Sequence, residues 1–422
     1  MTPAPAKPVL VIGGGIAGLT AAVELADIGC RVMLVEKSVS LGGRVARLHQ
    51  YFPKLCPPAC GLEMHYRRLR NNEAITVLTL AEVVDVTGGA GDFEVTVAVK
   101  PRFVNESCTL CGACAEACPA RRADDFNYGL AETKAAYLPH GMAYPPLYAI
   151  DRAACTSGCH ACQEACTYGA IDLNAQPAVK KLNVCAIVAA TGWKPYDASK
   201  LDNLGFGRFP NVVTNVLLER MAATDGPTGG HVLRPSDSKE PRTVAFVQCA
   251  GSRDENHLPY CSAVCCTASI KHAAYIRALY PETEVTIFYI DIRTPGRLEE
   301  FYANVSRDAH LRLIKGKVAR VEESPATHDL LVTAEDTLAG RKSTQHFELV
   351  VLAAGMVPET DGLPVALERD EFGFLKVSNG TSGIYAAGCV RRPEEVYSTV
   401  QDATGAALKA LACANRSVIH AR

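Results

Sequence analysis

The chain has 422 residues, 48% of them hydrophobic, so it is long enough for two or three domains with cores of their own. Its formal charge of −2 gives no indication of a nucleic-acid partner. Cysteine is abundant, with 18 residues. A disulfide scaffold explains so many cysteines in a short secreted chain, but this chain is long and its cysteines cluster as metal ligands do.

The N-terminal segment has the pattern of a dinucleotide-binding turn. A strand at 9–12 is followed by Gly-Gly-Gly-Ile-Ala-Gly, a helix, and a second strand at 31–35 that ends at an acid. The three glycines of the pattern allow the tight turn, the approach of a pyrophosphate and the packing of helix on strand. The acid is placed to accept hydrogen bonds from ribose hydroxyls. The cofactor-binding residues predicted here are Gly13, Gly15, Gly18 and Glu36.

A signal peptide or membrane segment is the alternative for this stretch, because residues 9–23 are nearly all apolar. Four glycines interrupt the run, and Glu24 ends it before it reaches the length of a membrane span. The sequence Leu-Gly-Gly-Arg then follows the acid closely, a turn typical of two-domain flavoproteins. It favours FAD over NAD and adds Gly43 and Arg44 to the predicted cofactor contacts.

Two cysteine runs follow a stretch of alternating apolar and polar residues at 73–100, which predicts a small antiparallel sheet. The first run, Cys-x2-Cys-x2-Cys-x3-Cys-Pro, is the bacterial ferredoxin pattern for a [4Fe–4S] cluster. The second run has one extra residue in its first gap and Thr in place of the Pro. The eight predicted ligands are Cys108, Cys111, Cys114, Cys118, Cys155, Cys159, Cys162 and Cys166.

The spacing of the runs predicts crossed ligation, in which the last cysteine of each run binds the cluster of the other run. Cys166 would then complete the first cluster and Cys118 the second. Structural zinc sites are the alternative, since four thiolates also bind zinc. The spacing of the first run and the proline at 119 favour iron–sulfur clusters. The segment at 124–150, between the runs, is longer than a minimal ferredoxin needs.

Flavoprotein features resume after the second run. A buried strand ending in Ala-Thr-Gly recurs in flavoproteins with two dinucleotide folds, so Thr191 and Gly192 are predicted cofactor contacts. The ferredoxin unit is therefore predicted to be inserted into the FAD domain. A proline-rich loop at 51–61 holds Cys56 and Cys60, to which the sequence assigns no role.

A second βαβ unit is predicted from a strand at 243–247, a helix at 261–279 and a strand at 284–289. Its first turn lacks the glycine pattern that a nicotinamide nucleotide needs. Four cysteines stand there instead, namely Cys249, Cys261, Cys265 and Cys266. A helix N-terminus lowers the pKa of a thiol and favours an anionic cluster, so one interpretation is a third [4Fe–4S] cluster.

Two other interpretations of these cysteines stay open. Cys261 and Cys265 share a face of the predicted helix and could form a redox disulfide facing the flavin. Cys265 and Cys266 could also be small buried hydrophobic residues. In an ideal helix Cys266 is turned about 100° away from Cys265, so it could ligate only if the first turn is irregular.

The last part of the chain is predicted to return to the FAD domain. A strand at 350–355 resembles the earlier one, and the strand at 383–389 precedes a final helix at 398–414. Flavoproteins of this type usually have Gly-Asp after that strand, where the Asp contacts the FAD ribitol. Gly388 and Cys389 occupy these positions here. The N-terminus of the final helix is expected to stabilise reduced, anionic flavin.

Together these elements predict an α/β, thioredoxin-reductase-like flavoprotein with two dinucleotide-binding domains and an inserted 2[4Fe–4S] ferredoxin-like α+β domain. The second domain would be a degenerate nucleotide fold that holds cluster cysteines. The predicted boundaries are 1–100, 176–240 (with a linker) and 349–422 for the FAD-binding domain, 101–175 for the insertion and 241–348 for the second domain.

The sequence resembles the A subunit of heterodisulfide reductase and, more closely, the A subunit of the quinone-interacting membrane-bound oxidoreductase of sulfur-metabolising bacteria. The resemblance covers essentially the whole chain and implies FAD, two ferredoxin clusters and a third cluster at the four cysteines of the second βαβ unit. Larger family members have extra ferredoxin domains at both ends, so this chain is expected to be of the quinone-linked or sulfur-oxidation type. The residues that carry the resemblance are the glycine turn, both ferredoxin runs, and residues 127–130, 134–140, 226–230, 248–254, 260–266 and 289–293.

The predicted function is electron transfer inside a larger complex, between FAD, which takes electrons in pairs, and clusters, which take them singly. The resemblance implies two partners: a homologous subunit with flavin and iron–sulfur clusters, and a membrane subunit that reaches the quinone pool. It also implies adenylylsulfate reductase as a partner in dissimilatory sulfur metabolism. The protein would be cytoplasmic and associated with the membrane only through partner subunits, because no apolar run reaches membrane length.

Three alternative functions remain open. The first is a soluble heterodisulfide-reductase-like complex that acts on a thiol/disulfide sulfur carrier. The second is an NAD(P)H-linked flavin disulfide reductase, disfavoured by the missing second glycine pattern. The third is a zinc-stabilised scaffold without redox chemistry, which the visible spectrum alone would distinguish.

Overall fold

The computed structural model describes residues 7–376 and 382–420, with side chains as far as residue 415. The chain alternates between two units. Unit 1 consists of Met1–Ala46, Ala59–Trp193 and Pro358–Arg422, and unit 2 consists of Arg47–Pro58 and Lys194–Val357. None of the described helices is both long enough and apolar enough to cross a membrane.

The described helices are α1 (Ile16–Asp27), α2 (Ala59–Arg70), α3 (Ala113–Ala117), α4 (Ala161–Glu164), α5 (Asn215–Ala222), α6 (Cys265–Leu279), α7 (Leu298–Val305) and α8 (Val396–His420). The described strands are β1 (Val9–Ile12), β2 (Val32–Val35), β3 (Ile75–Leu78), β4 (Ala81–Gly89), β5 (Asp92–Val99), β6 (Arg121–Ala123), β7 (Glu132–Lys134), β8 (Ala136–Tyr137), β9 (Ala149–Ile150), β10 (Ala178–Val184), β11 (Ala186–Ala189), β12 (Trp193–Pro195), β13 (Val212–Thr214), β14 (Thr243–Ala250), β15 (Glu284–Tyr289), β16 (Leu311–Lys315), β17 (Val318–Glu323), β18 (Leu330–Asp336), β19 (Arg341–Phe347), β20 (Leu349–Ala354), β21 (Met356–Pro358) and β22 (Ile384–Ala386).

Unit 1 is built on a parallel sheet of order β22-β11-β1-β2-β3. Because both faces of this sheet are covered, β1 and β11 are runs of fully buried apolar residues. Helices α1 and α8 pack against each other and against β11. The antiparallel sheet β10-β5-β4 packs against the parallel sheet through Phe93, Val95 and Val97, which share one apolar core with Leu10 and Ile187.

The insertion lies between two strands that pair directly. β5 and β10 are antiparallel neighbours, and Val99 is opposite Ala178, so the intervening residues replace what would otherwise be a hairpin turn. The insertion has its own small core, with the short helices α3 and α4 and the hairpins β6-β7 and β8-β9. Both of its ends therefore stay close together while about 80 residues are accommodated between them.

Unit 2 repeats the layered plan with a parallel sheet of order β13-β20-β14-β15-β16. One apolar cluster joins this sheet to α5, α6 and α7, where Phe246, Ile270 and Ile276 are almost fully buried. A second cluster joins it to the antiparallel sheet β17-β18-β19 through Phe288 and Phe347.

Several predicted boundaries are wrong. Residues 176–240 are predicted as the second part of the FAD domain with a linker, but β13 and α5 belong to unit 2, because β13 pairs with β20. β20, also assigned to the FAD domain, is a central strand of the second sheet, and unit 1 resumes only at Pro358. The outer limits of the predicted domains, residues 1 and 422, lie outside the described residues. The final helix is longer than the predicted 398–414.

Candidate functional site

The first glycine turn of unit 1 has the geometry that its sequence predicts. Gly13 has φ +105°, and a Cβ there would lie 2.4 Å from the carbonyl oxygen of Ala190. A Cβ on Gly18 would lie 1.8 Å from the carbonyl oxygen of Gly13. Glycine is therefore required at both positions, at the first for the turn and at the second for the contact of α1 with that turn.

The N-terminus of α1 is open to a ligand. Gly15 is the N-cap residue, and no side chain caps the helix. A Cβ on Gly15 would meet only the Cα of Gly43, at 3.9 Å. The first amide groups of α1 and the gap between these two glycines form a cradle that suits a pyrophosphate, since free N–H groups and the helix dipole favour anions.

Glu36 lies at the end of β2 and is buried. One carboxylate oxygen accepts a hydrogen bond from the amide of Gly14 at 2.6 Å, and the other accepts from the amide of Ser38 at 2.7 Å. The carboxylate thus holds the glycine turn itself, a role that the sequence did not indicate. Each oxygen can accept a second bond, so the ribose contact stays a prediction.

Arg44 follows Gly42 and Gly43, and two hydrogen bonds hold its guanidinium. Its Nε donates to the carbonyl oxygen of Trp193 at 3.1 Å, and one terminal nitrogen donates to the hydroxyl of Tyr128 at 3.0 Å. The guanidinium also lies over both rings, 5.2 Å from the Trp193 centroid and 5.6 Å from that of Tyr128. Tyr128 belongs to the insertion and was not among the predicted cofactor residues.

Thr191 and Gly192 follow the strand beside β1. The Thr191 hydroxyl donates to the carbonyl oxygen of Glu359 at 2.5 Å, and the Glu359 amide donates to the Gly192 carbonyl at 3.0 Å. Gly192 has φ +74° with open space around it. The pair therefore fastens the returning chain of unit 1, and its contact with a cofactor stays a prediction.

Gly388 and Cys389 precede α8, and an acid of that helix binds the glycine amide. The Gly388 amide donates to Asp402 at 2.7 Å, and Asp402 also pairs with Arg391. The thiol of Cys389 is buried and points at the carbonyl oxygen of Glu394, 3.4 Å away. Asp402, near the start of α8, is thus the carboxylate at this turn. Sequence reasoning missed it because it lies well beyond the expected position, on the helix itself.

The ferredoxin cysteines gather around the small core of the insertion. Burial raises the pKa of Cys114 to about 11, and the charges of Cys108 and Cys111 act in the same direction. The sulfur of Cys166 accepts a hydrogen bond from the amide of Ala170 at 3.4 Å. Buried thiols of this kind ionise when iron supplies the compensating positive charge. The six that lie in or against the core are Cys108, Cys114, Cys118, Cys155, Cys162 and Cys166.

Cys118 lies with the cysteines of the second run. Burial raises the pKa of Cys155 and of Cys162, and both thiols feel the charges of Cys118 and Cys159. This proximity is what crossed ligation requires. In the described residues, no three Cys, His, Asp or Glu side chains converge as ligands of a single metal ion would. In a cluster each thiolate binds its own iron, so its ligands stand further apart than those of zinc.

Crossed ligation predicts which cysteine variants should behave alike. Cys118→Ala and Cys155→Ala are each expected to lose the same EPR signal of the reduced protein and about four of the irons. Cys166→Ala should instead match Cys108→Ala. The matched control is Cys30→Ala, which removes a thiol outside the insertion. If Cys118→Ala matched Cys108→Ala, each cluster would be bound by its own run.

The four cysteines of unit 2 also come together, with a different local structure from the predicted one. α6 begins at Cys265 and not at 261, so Cys261 lies in the preceding loop. The charges of Cys249, Cys266 and Cys261 all act on Cys265. Cys266 still follows Cys265 on α6, but Cys261 is free of the helix, and its charge acts on Cys266 as well as on Cys265.

A bulge directs Cys249 towards this group. The pairing of β14 with β20 shifts between Val247 and Ala250, and Cys249 has φ +54°, an uncommon value for a non-glycine residue. Burial raises the pKa of Cys249 to about 11 and raises that of Cys265 further. Buried thiols such as these two suit ligands that ionise on binding iron.

A buried group of charges in unit 2 was not predicted. Glu219 binds the amino group of Lys271 at 2.8 Å and Nε2 of His272 at 2.5 Å, and all three side chains are at most 5% exposed. Its other oxygen accepts from the amide of His49 at 2.8 Å, and Lys271 donates to the carbonyl oxygen of Gln50 at 2.9 Å. These contacts fix the segment 47–58 within unit 2.

The charge on Glu219 is set by opposing effects. Burial alone would raise its pKa, but Lys271 and His272 hold the pKa below its usual range. The carboxylate therefore stabilises the fold above its unfolded pKa of about 4.3 and loses that contribution as the pH falls through the lower folded value.

Glu219→Gln should lower the free energy of unfolding by about 3–5 kcal/mol at neutral pH, because Lys271 would stay buried without a counter-charge. It should also reduce the loss of stability on acidification. Urea unfolding monitored by circular dichroism measures both effects. The control, Glu284→Gln, removes a half-exposed pair with His310 and should cost less than about 1 kcal/mol. Equal losses in the two variants would contradict the buried-charge account.

Two family models match parts of the chain. Residues 11–73 match the NAD(P)-binding Rossmann-like domain, and residues 101–121 match the 4Fe-4S binding domain. The first match covers the glycine turn and Glu36. The second covers the first ferredoxin run.

Curated relatives align with almost the whole chain. It is 41% identical over 419 residues to the iron-sulfur A subunit of CoB–CoM heterodisulfide reductase of Methanocaldococcus jannaschii, covering 95% of this chain and 63% of that protein. It is 40% identical over 416 residues to the A subunit of the H(2):CoB-CoM heterodisulfide,ferredoxin reductase of Methanothermobacter marburgensis, with the same coverage. The chain thus spans about 63% of the length of these relatives.

Solved structures show the same fold. Thioredoxin reductase of T. acidophilum has a TM-score of 0.54 and 15% identity, covering 97% of this chain and 98% of that one. The Lactococcus lactis enzyme also has a TM-score of 0.54, with 13% identity and coverage of 97% and 99%. The predicted thioredoxin-reductase-like α/β class is confirmed. The match to the 4Fe-4S binding domain supports [4Fe–4S] clusters, and FAD stays a prediction.

Proposed function

Since the chain aligns over 95% of its length with the A subunit of heterodisulfide reductase, we propose that it is the electron-transfer subunit, with FAD and iron–sulfur clusters, of an oxidoreductase complex of that kind. FAD exchanges electrons in pairs and the clusters exchange them singly, so a chain with both converts between the two regimes. The relatives are designated subunits of complexes, and the activity of the whole complex is part of this proposal because the chain spans only 63% of their length.

One observation carries the proposal. Unit 1 contains both an uncapped α1 N-terminus, open between Gly15 and Gly43, and an insertion whose core gathers the ferredoxin cysteines. The first feature suits a dinucleotide and the second suits two clusters. Their presence in one unit is what a flavin-to-cluster carrier needs, and a disulfide reductase that uses only flavin and nicotinamide has no use for the second.

The residues of the chain have distinct tasks in this function. The amides of α1 would bind the pyrophosphate, Glu36 fixes the glycine turn, and Arg44 is held beside that turn by its two aromatic neighbours. The bound flavin supplies two-electron chemistry. The apolar core around the cysteines excludes water, which tunes cluster potentials together with hydrogen bonds to sulfur, such as that from Ala170 to Cys166.

The relatives favour one type of complex over the other. Their names give a heterodisulfide as the substrate of those enzymes, which favours a complex acting on a thiol/disulfide sulfur carrier over the quinone-linked type expected from the sequence. A quinone-reaching membrane subunit, adenylylsulfate reductase and a role in sulfate reduction have no support of this kind and stay predictions. The assignment to a membrane-associated complex also stays a prediction.

The cofactor content tests the core of the proposal. Protein purified without oxygen should contain about one FAD and at least about eight irons per chain. Its visible absorption should fall on addition of dithionite. Zinc in place of iron, or a colourless protein, would contradict the proposal.

The complex can be distinguished by its electron acceptor. A tagged chain is isolated with its native partners and reduced with dithionite-reduced viologen, and a disulfide or a water-soluble quinone analogue is then added. Reoxidation by the disulfide alone is expected. Reoxidation by the quinone alone, with a membrane protein among the co-purified chains, would restore the quinone-linked function.

A further inference from the structure

The extra length of the insertion lies against the turn that follows Glu36. Three contacts join residues 124–144, here called the strap, to residues 40–44. The hydroxyl of Tyr128 accepts from Arg44 at 3.0 Å, the carbonyl oxygen of Tyr144 accepts from the amide of Leu41 at 2.8 Å, and Nε2 of His140 lies 3.4 Å from the hydroxyl of Ser40. All of these residues belong to unit 1.

The first residues of the strap form a loop that is held by internal hydrogen bonds. Asp124 accepts hydrogen bonds from the amide of Phe126 at 3.0 Å and from the side chain of Asn127 at 2.7 Å, and its carbonyl accepts from the amide of Gly129 at 2.8 Å. Within this loop Tyr128 has φ +54°, a left-handed conformation that is uncommon for tyrosine. Such a conformation persists only where the surrounding contacts determine it, and here it presents the hydroxyl to Arg44.

The remainder of the strap is fixed at further points. The ring of Phe126 stacks on His140 with 4.6 Å between centroids, and the ring of Tyr144 stacks on Tyr66 of α2 at 5.3 Å. Tyr66 also packs against the turn at residues 40–44, since its hydroxyl lies 2.6 Å from where a Cβ of Gly42 would be. The turn is therefore enclosed by the strap and by α2.

The strap is also tied to the cluster cysteines. Lys134, in β7, donates to the carbonyl oxygen of Cys118 at 2.7 Å. The same continuous segment therefore contacts both the backbone of a predicted cluster ligand and the side chain of Arg44. A minimal ferredoxin needs neither contact.

We propose that the strap braces the flavin-binding turn, and that Tyr128 is a positioning residue that acts through Arg44. The guanidinium has five N–H groups, and within the described residues Trp193 and Tyr128 each accept one of them. The remaining N–H groups are available to an anionic acceptor such as the FAD pyrophosphate. Held by two acceptors and two rings, Arg44 enters binding with its side chain already ordered, which lowers the entropic cost of binding FAD. This inference rests on the proposed function.

The test measures the rate at which FAD leaves the purified holoprotein on dilution, from the fluorescence of released flavin. Tyr128→Phe keeps the ring over Arg44 and removes only the acceptor, and it should release FAD roughly tenfold faster, as expected for one partly exposed hydrogen bond to a charged group. Arg44→Ala should release FAD faster still. The double variant should match Arg44→Ala, because Tyr128 would have nothing left to act through.

A matched control is Tyr137→Phe, which is also in the strap but whose ring lies beside Arg122 of the insertion and not beside Arg44, with 4.2 Å between the Arg122 guanidinium carbon and the ring centroid. Its release rate should equal that of the original protein, and the iron content should be unchanged in every variant. Unchanged release in Tyr128→Phe, additive effects in the double variant, or loss of iron together with FAD would each overturn the inference. A protein that contains iron but never contained FAD would instead overturn the proposed function.

Discussion

Gly15→Val should empty the flavin site and leave the chain folded. The Cβ of residue 15 would meet only Gly43 Cα, at an ordinary 3.9 Å, so a side chain there faces open space and not the protein interior. That space is the predicted path of the pyrophosphate to the amides of α1. Extracted flavin, quantified by chromatography, should fall to a trace, while the melting temperature measured without FAD stays within a few degrees of the original.

Two further glycine variants show whether the effect belongs to the cofactor. Gly18→Ala places its Cβ 1.8 Å from a backbone oxygen, so it should lower stability as well as flavin content. Gly89→Val lies in β4 with nothing within 4 Å of its Cβ, and it should change neither. Full FAD occupancy in Gly15→Val would mean that the dinucleotide does not bind at the N-terminus of α1.

The glycine turn could be predicted because its requirements are local. Gly13 needs glycine for its own φ of +105°, and Gly18 needs it for its contact with Gly13, so the sequence pattern encodes both directly. The same is true of the ferredoxin runs, whose short gaps constrain the positions of their cysteines. The proximity of Cys118 to the second run followed from spacing alone.

What could not be predicted depends on contacts between distant segments. The bonds that the Glu36 oxygens accept from the backbone amides of Gly14 and Ser38 leave no periodic pattern in the sequence, and the ribose contact of Glu36 stays a prediction. Tyr128 and Arg44 are 84 residues apart. Glu219 and His49 are 170 residues apart, so the presence of the segment 47–58 in unit 2 had no signal in sequence order.

The misassigned strand β20 shows a different limit. Its apolar run ends in Ala-Ala-Gly, much as β11 leads into Ala-Ala-Thr-Gly, and each strand lies next to the first strand of its own βαβ unit. Two folds of the same plan produce the same local pattern. Only the pairing partners, β1 for one and β14 for the other, show to which sheet each strand belongs.

The start of α6 is the misprediction with the greatest chemical consequence. Because α6 begins at Cys265, both Cys265 and Cys266 lie in its first turn, and Cys261 approaches from a loop in which Ala263 has φ +60°. Four sulfurs from a bulge, a loop and a helix start can surround a cluster, which three positions on a regular helix could not. The loop position of Cys261 thus weakens the geometric objection to a third cluster, which stays a prediction.

Cys266→Ala is accordingly expected to lose about four irons of about twelve, with the flavin retained. Cys249, Cys261 and Cys265 are expected to give the same result when replaced, since a cubane rarely survives the loss of a ligand. Iron analysis and the EPR spectrum of the reduced protein provide the measurement, and Cys30→Ala is again the control. If Cys266→Ala kept its iron, and the mass of the oxidised protein showed two hydrogens lost between Cys261 and Cys265, the redox disulfide would be correct.

The same cluster should exclude a nicotinamide nucleotide from unit 2. An anionic cluster and a pyrophosphate cannot share one helix N-terminus, because like charges a few ångströms apart repel strongly where water is scarce. NADH added without oxygen should therefore leave the flavin absorbance unchanged over minutes, whereas dithionite removes it. The same NADH assay is then applied to the four single-cysteine variants. Loss of the cluster removes the repelling charge from these variants, but the phosphate-binding glycines are still missing. NADH should therefore fail to reduce the flavin in these variants as well. The prediction is wrong if NADH rapidly bleaches the flavin of the original protein, because electrons would then reach the flavin from nicotinamide and not through iron.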